Sequence, residues 1–110
     1  MSLKQKYSAR ELEGLARLAH YIWWKTPAEA LRHPDRLVAQ VMNIGFYEDV
    51  CRLIDLVGEK KLLDVLQHAE IGQFNERSWA YWHYRLTSIA LEEIPPMPKR
   101  LYHETVPAQA

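Results

Sequence analysis

Apolar residues recur at three- and four-residue spacing through most of this chain, and no segment alternates apolar and polar residues over the length of a strand. That spacing places apolar side chains on one side of an α-helix, whereas a half-buried strand requires a period of two. The first such stripe consists of Leu12, Leu15, Ala16, Ala19, Ile22 and Trp23. The pattern predicts an all-α protein, a compact bundle of about five or six helices joined by short loops.

Two capping-box patterns predict where the first helices begin. Ser8 is followed by Glu11, and Thr26 is followed by Glu29, so each pair can satisfy free amides of a first helical turn. The apolar stripe predicts that the first helix continues to about Trp24. The second helix must be short, because a proline at position 34 disfavours helical geometry in the residue before it.

Proline and glycine predict the bounds of the middle helices. Pro34 suits the first position of a helix, and Gly45 and Gly58 each follow an apolar stripe. We expect Gly45 to end its helix in a left-handed conformation and Gly58 to close the next helix. The side chains predicted to be buried in these two helices and the one that follows are Leu37, Val38, Val41, Ile44, Phe46, Val50, Leu53, Ile54, Val57, Leu62, Leu63, Val65 and Leu66.

The last helix is predicted to begin at the N-cap Asn75 and to extend to about Leu91. The segment IPPMPKR cannot continue it, because prolines lack amide donors and fix φ. We therefore expect a single helical domain over residues 1–94 and an extended Pro-rich C-terminal tail over residues 95–110.

The aromatic residues of the last helix fall on two sides when they are placed at about 100° per residue. The apolar side is predicted to be core and contains Trp79, Trp82, His83, Leu86, Ile89 and Ala90. The opposite side contains Arg77, Tyr81, Tyr84, Arg85, Ser88 and Glu92. Tyrosine and arginine are enriched at the energetic centres of protein interfaces, so this outer side is a candidate contact surface.

Composition limits the classes of protein that the chain can belong to. Its 110 residues carry 14 basic and 14 acidic side chains, whereas a dedicated nucleic-acid binder usually has a basic excess. Cys51 is the single cysteine, so no intrachain disulfide can form, which favours a reducing compartment. No apolar stretch is typical of a signal peptide or membrane span, and we expect a cytoplasmic protein that does not enter a membrane.

Motifs that would indicate catalysis are missing from the sequence. It has no Gly-rich phosphate loop, no nucleophile elbow and no paired zinc ligands, and its five histidines lack the spacing of four residues that places two ligands on one helix face. We predict that the protein is not an enzyme and uses no cofactor or metal.

A family resemblance is carried by three segments, PAEALRHPDRLVAQVMNIGFYEDV, SWAYWHYRL and IPPMPKR. Together they resemble small helical bacterial proteins found beside nucleotidyltransferase-like toxins of the abortive-infection (AbiE) type. The residues that carry the resemblance are Pro34, Arg36, Leu37, Ala39, Gln40, Val41, Met42, Gly45, Glu48, Asp49, Val50, Ser78, Trp79, Trp82, His83, Pro95, Pro96, Pro98 and Arg100. The resemblance implies an antitoxin that binds its toxin or competes for the toxin's substrate.

Three hypotheses follow for the function. The first is a protein-interaction module, an antitoxin whose partner is a nucleotidyltransferase-like toxin. The second is a nucleic-acid-binding regulator that uses arginines and tyrosines of the last helix and tail, and the third is a small-molecule or metal site around His83. The residues predicted to bind the partner are Arg77, Tyr81, Tyr84, Arg85, Pro96, Lys99 and Arg100.

Overall fold

A computed structural model describes residues 7–98, and over that range the chain is all-α with no strand. The helices are α1 (Ala9–Ala16), α2 (Pro27–Ala30), α3 (Pro34–Ile44), α4 (Tyr47–Val57), α5 (Glu59–Gln67) and α6 (Glu76–Thr87), with 3₁₀ turns at Ala19–Tyr21 and Leu91–Glu93. Helix α3 packs against all five of the others. The predicted fold class is confirmed, and within residues 7–98 no helix is long and apolar enough to cross a membrane.

The predicted helix starts are confirmed. The Ser8 hydroxyl accepts from the Glu11 amide at 3.1 Å, and the Glu11 carboxylate accepts from the Ser8 amide at 2.9 Å. Thr26 and Glu29 form the same reciprocal pair at the start of α2. Pro34 is the first residue of α3, where its missing amide donor leaves no helical hydrogen bond unmade.

Helix α1 ends at Ala16 and does not reach Trp24, so the predicted length is wrong. The chain tightens into 3₁₀ geometry, which brings Tyr21 into the core. The Tyr21 hydroxyl donates to the Asp49 carboxylate at 2.6 Å and accepts from the Phe46 amide at 3.0 Å. This tertiary contact with the start of α4 cannot be predicted from the local spacing of apolar residues. Because the chain leaves the helix to make it, Trp23 is 72% exposed rather than buried.

Helix α3 is the centre of the core. Its side chains Leu37, Val38 and Val41 are fully buried, and they pack among buried side chains from the other elements. Those include Leu15, Leu18, Leu53, Val57, Leu62, Val65, Leu66, Phe74, Trp79 and Trp82. Three residues predicted to be buried, Ile44, Phe46 and Ala90, are exposed. Ile44 and Phe46 lie where α3 ends and α4 begins, beyond the packed turns, and Ala90 lies past the end of α6.

The C-terminal end of α3 is satisfied by side chains of α6. The last carbonyls of a helix have no partner within it. Here the Trp82 indole N–H donates to the Met42 carbonyl at 2.9 Å, and the Ser78 hydroxyl donates to the Asn43 carbonyl at 2.9 Å. Helix α6 therefore caps α3 while it fills the core.

This capping explains why Gly45 is not left-handed, contrary to the prediction. Its φ of −68° and ψ of 150° are extended, because the carbonyls that a left-handed turn would satisfy already have donors. A glycine is still required, since a Cβ at Gly45 would lie 2.5 Å from the Val41 carbonyl oxygen. Gly58 does close α4 with a φ of 86°, as predicted.

Asn75 is the N-cap of helix α6, as predicted, but the helix ends at Thr87, short of Leu91. Ser88 adopts a left-handed backbone conformation with a φ of 60°, and the turn at this residue changes the direction of the chain. Because the residue is not a glycine, the sequence gives no signal for this turn. At Pro95 the chain again lies against α6, where the Pro95 carbonyl accepts a hydrogen bond from the Trp79 indole N–H at 2.7 Å. Residues 94–98 form no helix or strand, and the remainder of the predicted tail lies outside the described residues.

Candidate functional site

Helix α6 separates its aromatic side chains onto two sides, as the sequence predicts. Trp82 is 1% exposed, and Trp79 and His83 are also buried. Tyr81 and Tyr84 are 48% and 60% exposed. The core therefore does not account for the two tyrosines, and their side of the helix is available for contact.

A residue from another helix extends this exposed side. Tyr47, the first residue of α4, is 80% exposed and hydrogen-bonds the Cys51 thiol, which is the largest cause of the raised pKa of its hydroxyl. Arg85 lies near enough to lower that pKa, and Tyr81 near enough to raise it further. We call the surface formed by Tyr47, Arg77, Tyr81, Tyr84 and Arg85 the tyrosine face.

Arg85 is held in place at the centre of the tyrosine face. Its guanidinium donates to the Tyr81 hydroxyl at 3.1 Å and pairs with the Glu59 carboxylate at 3.5 Å. The hydrogen bond to Tyr81 is the largest reason that the pKa of Arg85 is raised. The guanidinium also lies 5.8 Å from the centroid of the Trp82 ring, so Arg85 contacts the core beneath this surface.

The structure brings four of the seven predicted contact residues together and separates the others. Arg77, Tyr81, Tyr84 and Arg85 lie on one side of α6 at spacings of one helical turn. Pro96 instead lines a cleft with Trp79 and His83, on the buried side of the same helix. Lys99 and Arg100 lie outside the described residues.

Two exposed aromatic features were missed by sequence reasoning. Tyr47 stands three residues before Val50 and so shares the spacing of the buried stripe, which gives no local signal that it is exposed. Trp23 and Trp24 pack edge to face, with ring centroids 4.8 Å apart, and both are exposed. A stop signal for α1 before Trp23 would have identified this pair, but the sequence supplies neither glycine nor proline there.

His83 is positioned by its own helix. Its Nδ1 lies 2.9 Å from the Trp79 carbonyl oxygen, one turn earlier, and its ring lies 4.3 Å from the Trp79 ring. Over residues 7–98, no group of three or more histidine, cysteine or acidic side chains is arranged to hold a metal ion. His83 is thus a buried single imidazole among apolar groups.

Over residues 7–98, these features define an all-α domain with an exposed aromatic and basic surface on α6. Comparisons of the chain with protein-family models, with curated proteins and with solved structures find no match.

Proposed function

We propose that this chain is a non-catalytic protein-interaction module of the cytoplasm, and that the tyrosine face is where it binds its partner. The observation that carries the proposal is the exposure of Tyr81 and Tyr84 beside the anchored Arg85 on α6, with the exposed Tyr47 of α4 close enough to feel its charge. Tyrosine offers a large, rigid contact area with a polar end and loses little conformational entropy when it is buried. Arg85 is already ordered by Tyr81 and Glu59, which lowers the entropic cost of binding further.

A protein partner suits this surface better than a nucleic acid. Binding to phosphates depends on unneutralised cations, and Arg85 is paired with Glu59. The chain as a whole carries no net charge. Arg77 is exposed and forms no ion pair with any residue of the described range, so it is available for an acidic group at the rim of an interface.

The partner that we propose is a nucleotidyltransferase-like toxin of the abortive-infection type, which would make this chain the antitoxin of the pair. This part of the proposal rests on the resemblance carried by the segments around Pro34, Trp79 and Pro95. An antitoxin that acts by binding requires a stable surface and no catalytic group. The tyrosine face, built on two helices of a packed core, meets that requirement.

The experiment is capture of the proposed partner, a nucleotidyltransferase-like toxin of the abortive-infection type, using the wild type and the variant Tyr81→Ala/Tyr84→Ala. We expect the variant to keep its helicity by circular dichroism and to lose up to a few kcal/mol of binding free energy. The matched control is Trp23→Ala/Trp24→Ala, which removes two exposed rings from a different part of the surface.

The outcomes separate the hypotheses. Loss of capture by the tyrosine variant, with capture retained by the tryptophan variant, supports the tyrosine face. The reverse result would move the interface to Trp23 and Trp24. Binding of a nucleic acid whose affinity falls steeply with salt, and which depends on Arg77 and Arg85, would favour the regulator instead.

A further inference from the structure

A second feature lies on the opposite side of α6 from the tyrosine face. A cleft of about 460 Å³ opens between α5 and α6, and the proline segment 95–98 forms part of its wall. Its lining is mostly apolar and includes Leu63, Leu66, Trp79 and Pro95. Pockets that hold small molecules are commonly of this size and have a few polar groups in an apolar wall.

The polar group of interest in this cleft is the His83 ring. Its Nδ1 faces the Trp79 carbonyl oxygen, which can only accept a hydrogen bond. Nδ1 of the neutral ring therefore carries the proton, and Nε2 presents a lone pair. The contact thus fixes the tautomer and leaves a hydrogen-bond acceptor on the far edge of the ring.

That acceptor has no partner within residues 7–98, although His83 is only 7% exposed and lines the cleft. Buried polar groups are almost always hydrogen-bonded, and an exception requires an explanation such as a bound molecule. Trp79, the other buried ring of the cleft, does not need a bound molecule as a partner, because its indole N–H already donates to the Pro95 carbonyl. What the cleft lacks is therefore a hydrogen-bond donor to Nε2 of His83.

We propose that this cleft binds a small aromatic molecule with one N–H or O–H group, which donates to Nε2 of His83. A flat ring fits the apolar part of the wall, made by the Trp79 indole and the prolines, while its donor meets the edge of the His83 imidazole. A single ring system also fits within a cleft of this volume. The site is independent of the tyrosine face, since it uses the other side of α6.

The test compares two probes of nearly identical shape, indole and benzofuran, by calorimetric titration of the full chain. Indole carries an N–H where benzofuran has an oxygen, so benzofuran keeps the shape but presents a weak acceptor in place of the donor. A hydrogen bond to a buried acceptor predicts that wild-type protein binds indole roughly tenfold more tightly than benzofuran. In His83→Phe, which keeps a ring in the cleft, that preference should disappear.

Nitrogen-15 resonances of the imidazole provide a measurement that needs no variant. In mildly alkaline buffer, the wild type should show a protonated Nδ1 and an unprotonated Nε2, and added indole should shift the Nε2 resonance while benzofuran should not. The proposal is overturned if neither probe binds at about millimolar concentration, if both bind equally, or if Nε2 is the protonated nitrogen. A water molecule as sole occupant would give the first of these results.

Discussion

The Trp82 side chain fills the core and also caps the C-terminal end of α3, and substituting it should reveal both roles. The side chain is almost fully buried, and truncation of a large core aromatic to alanine costs about 3–5 kcal/mol in free energy of unfolding. Trp82→Phe isolates the hydrogen bond, because most of the apolar contact is retained while the indole N–H is lost.

The cost of Trp82→Phe follows from the surroundings of the Met42 carbonyl. Within a continuing helix that carbonyl would accept from the Phe46 amide, but Phe46 donates to the Tyr21 hydroxyl instead. The Trp82 indole is therefore the donor that replaces it, at 2.9 Å. Leaving a buried carbonyl without a donor costs about 1–3 kcal/mol, so we expect Trp82→Phe to fall between wild type and Trp82→Ala.

Chemical denaturation followed by far-UV circular dichroism measures these differences. For a chain of this length, each kcal/mol lowers Tm by roughly 3–6 °C, so thermal melts should give the same order. Tyr84→Ala, two residues further along α6 and exposed, should change stability by no more than about 0.5 kcal/mol. If Trp82→Phe matched the wild type, the capping of α3 by α6 would contribute nothing, and the account of that contact would be refuted.

Two further predictions concern backbone approach and pH. Gly45→Ala should destabilise the protein by about 1–3 kcal/mol in the same denaturation assay, because the new Cβ would lie 2.5 Å from the Val41 carbonyl oxygen. An unchanged denaturation midpoint would show that the backbone shifts to accommodate the methyl group without cost. Burial, followed by the hydrogen bond to Asp35, raises the pKa of Tyr7, so the unfolded chain ionises first. The stability that Tyr7 contributes should therefore be present below about pH 10 and be lost above it, by up to about 1.4 kcal/mol per pH unit. Tyr7→Phe should flatten this alkaline loss, and an equal slope in both proteins would contradict the assignment.

The starts of the helices could be predicted from sequence because their signals are local. Ser8 with Glu11, Thr26 with Glu29 and Asn75 each satisfy amides within the next three residues, and no distant group is needed. The ends could not be predicted equally well. Where α1 and α6 stop, the chain turns to make contacts across the fold, and neither of the segments that follow, 17–22 and 88–90, contains a proline or glycine.

In the candidate site, likewise, some residues could be predicted from the sequence and others could not. Helical spacing alone separates Tyr81 and Tyr84 from Trp79 and Trp82, because a single regular helix fixes which side chains share a side. Tyr47 could not be assigned to that surface, since its place depends on how α4 lies relative to α6.

The cleft around His83 likewise required coordinates. Its wall combines two helices with a proline segment that returns only after the left-handed turn at Ser88. The sequence indicated a buried histidine, but it could not indicate which ring nitrogen would have a hydrogen-bond partner and which would not.

Hydrogen exchange of this chain, alone and mixed with a nucleotidyltransferase-like toxin of the abortive-infection type, the proposed partner, tests the central claim most directly. If the tyrosine face is the interface, binding should slow exchange in the first turn of α4, at Tyr47, and along α6 around Tyr81 and Tyr84. Protection confined to the segment around Trp23 and Trp24, or no protection at all in the presence of saturating partner, would contradict the claim.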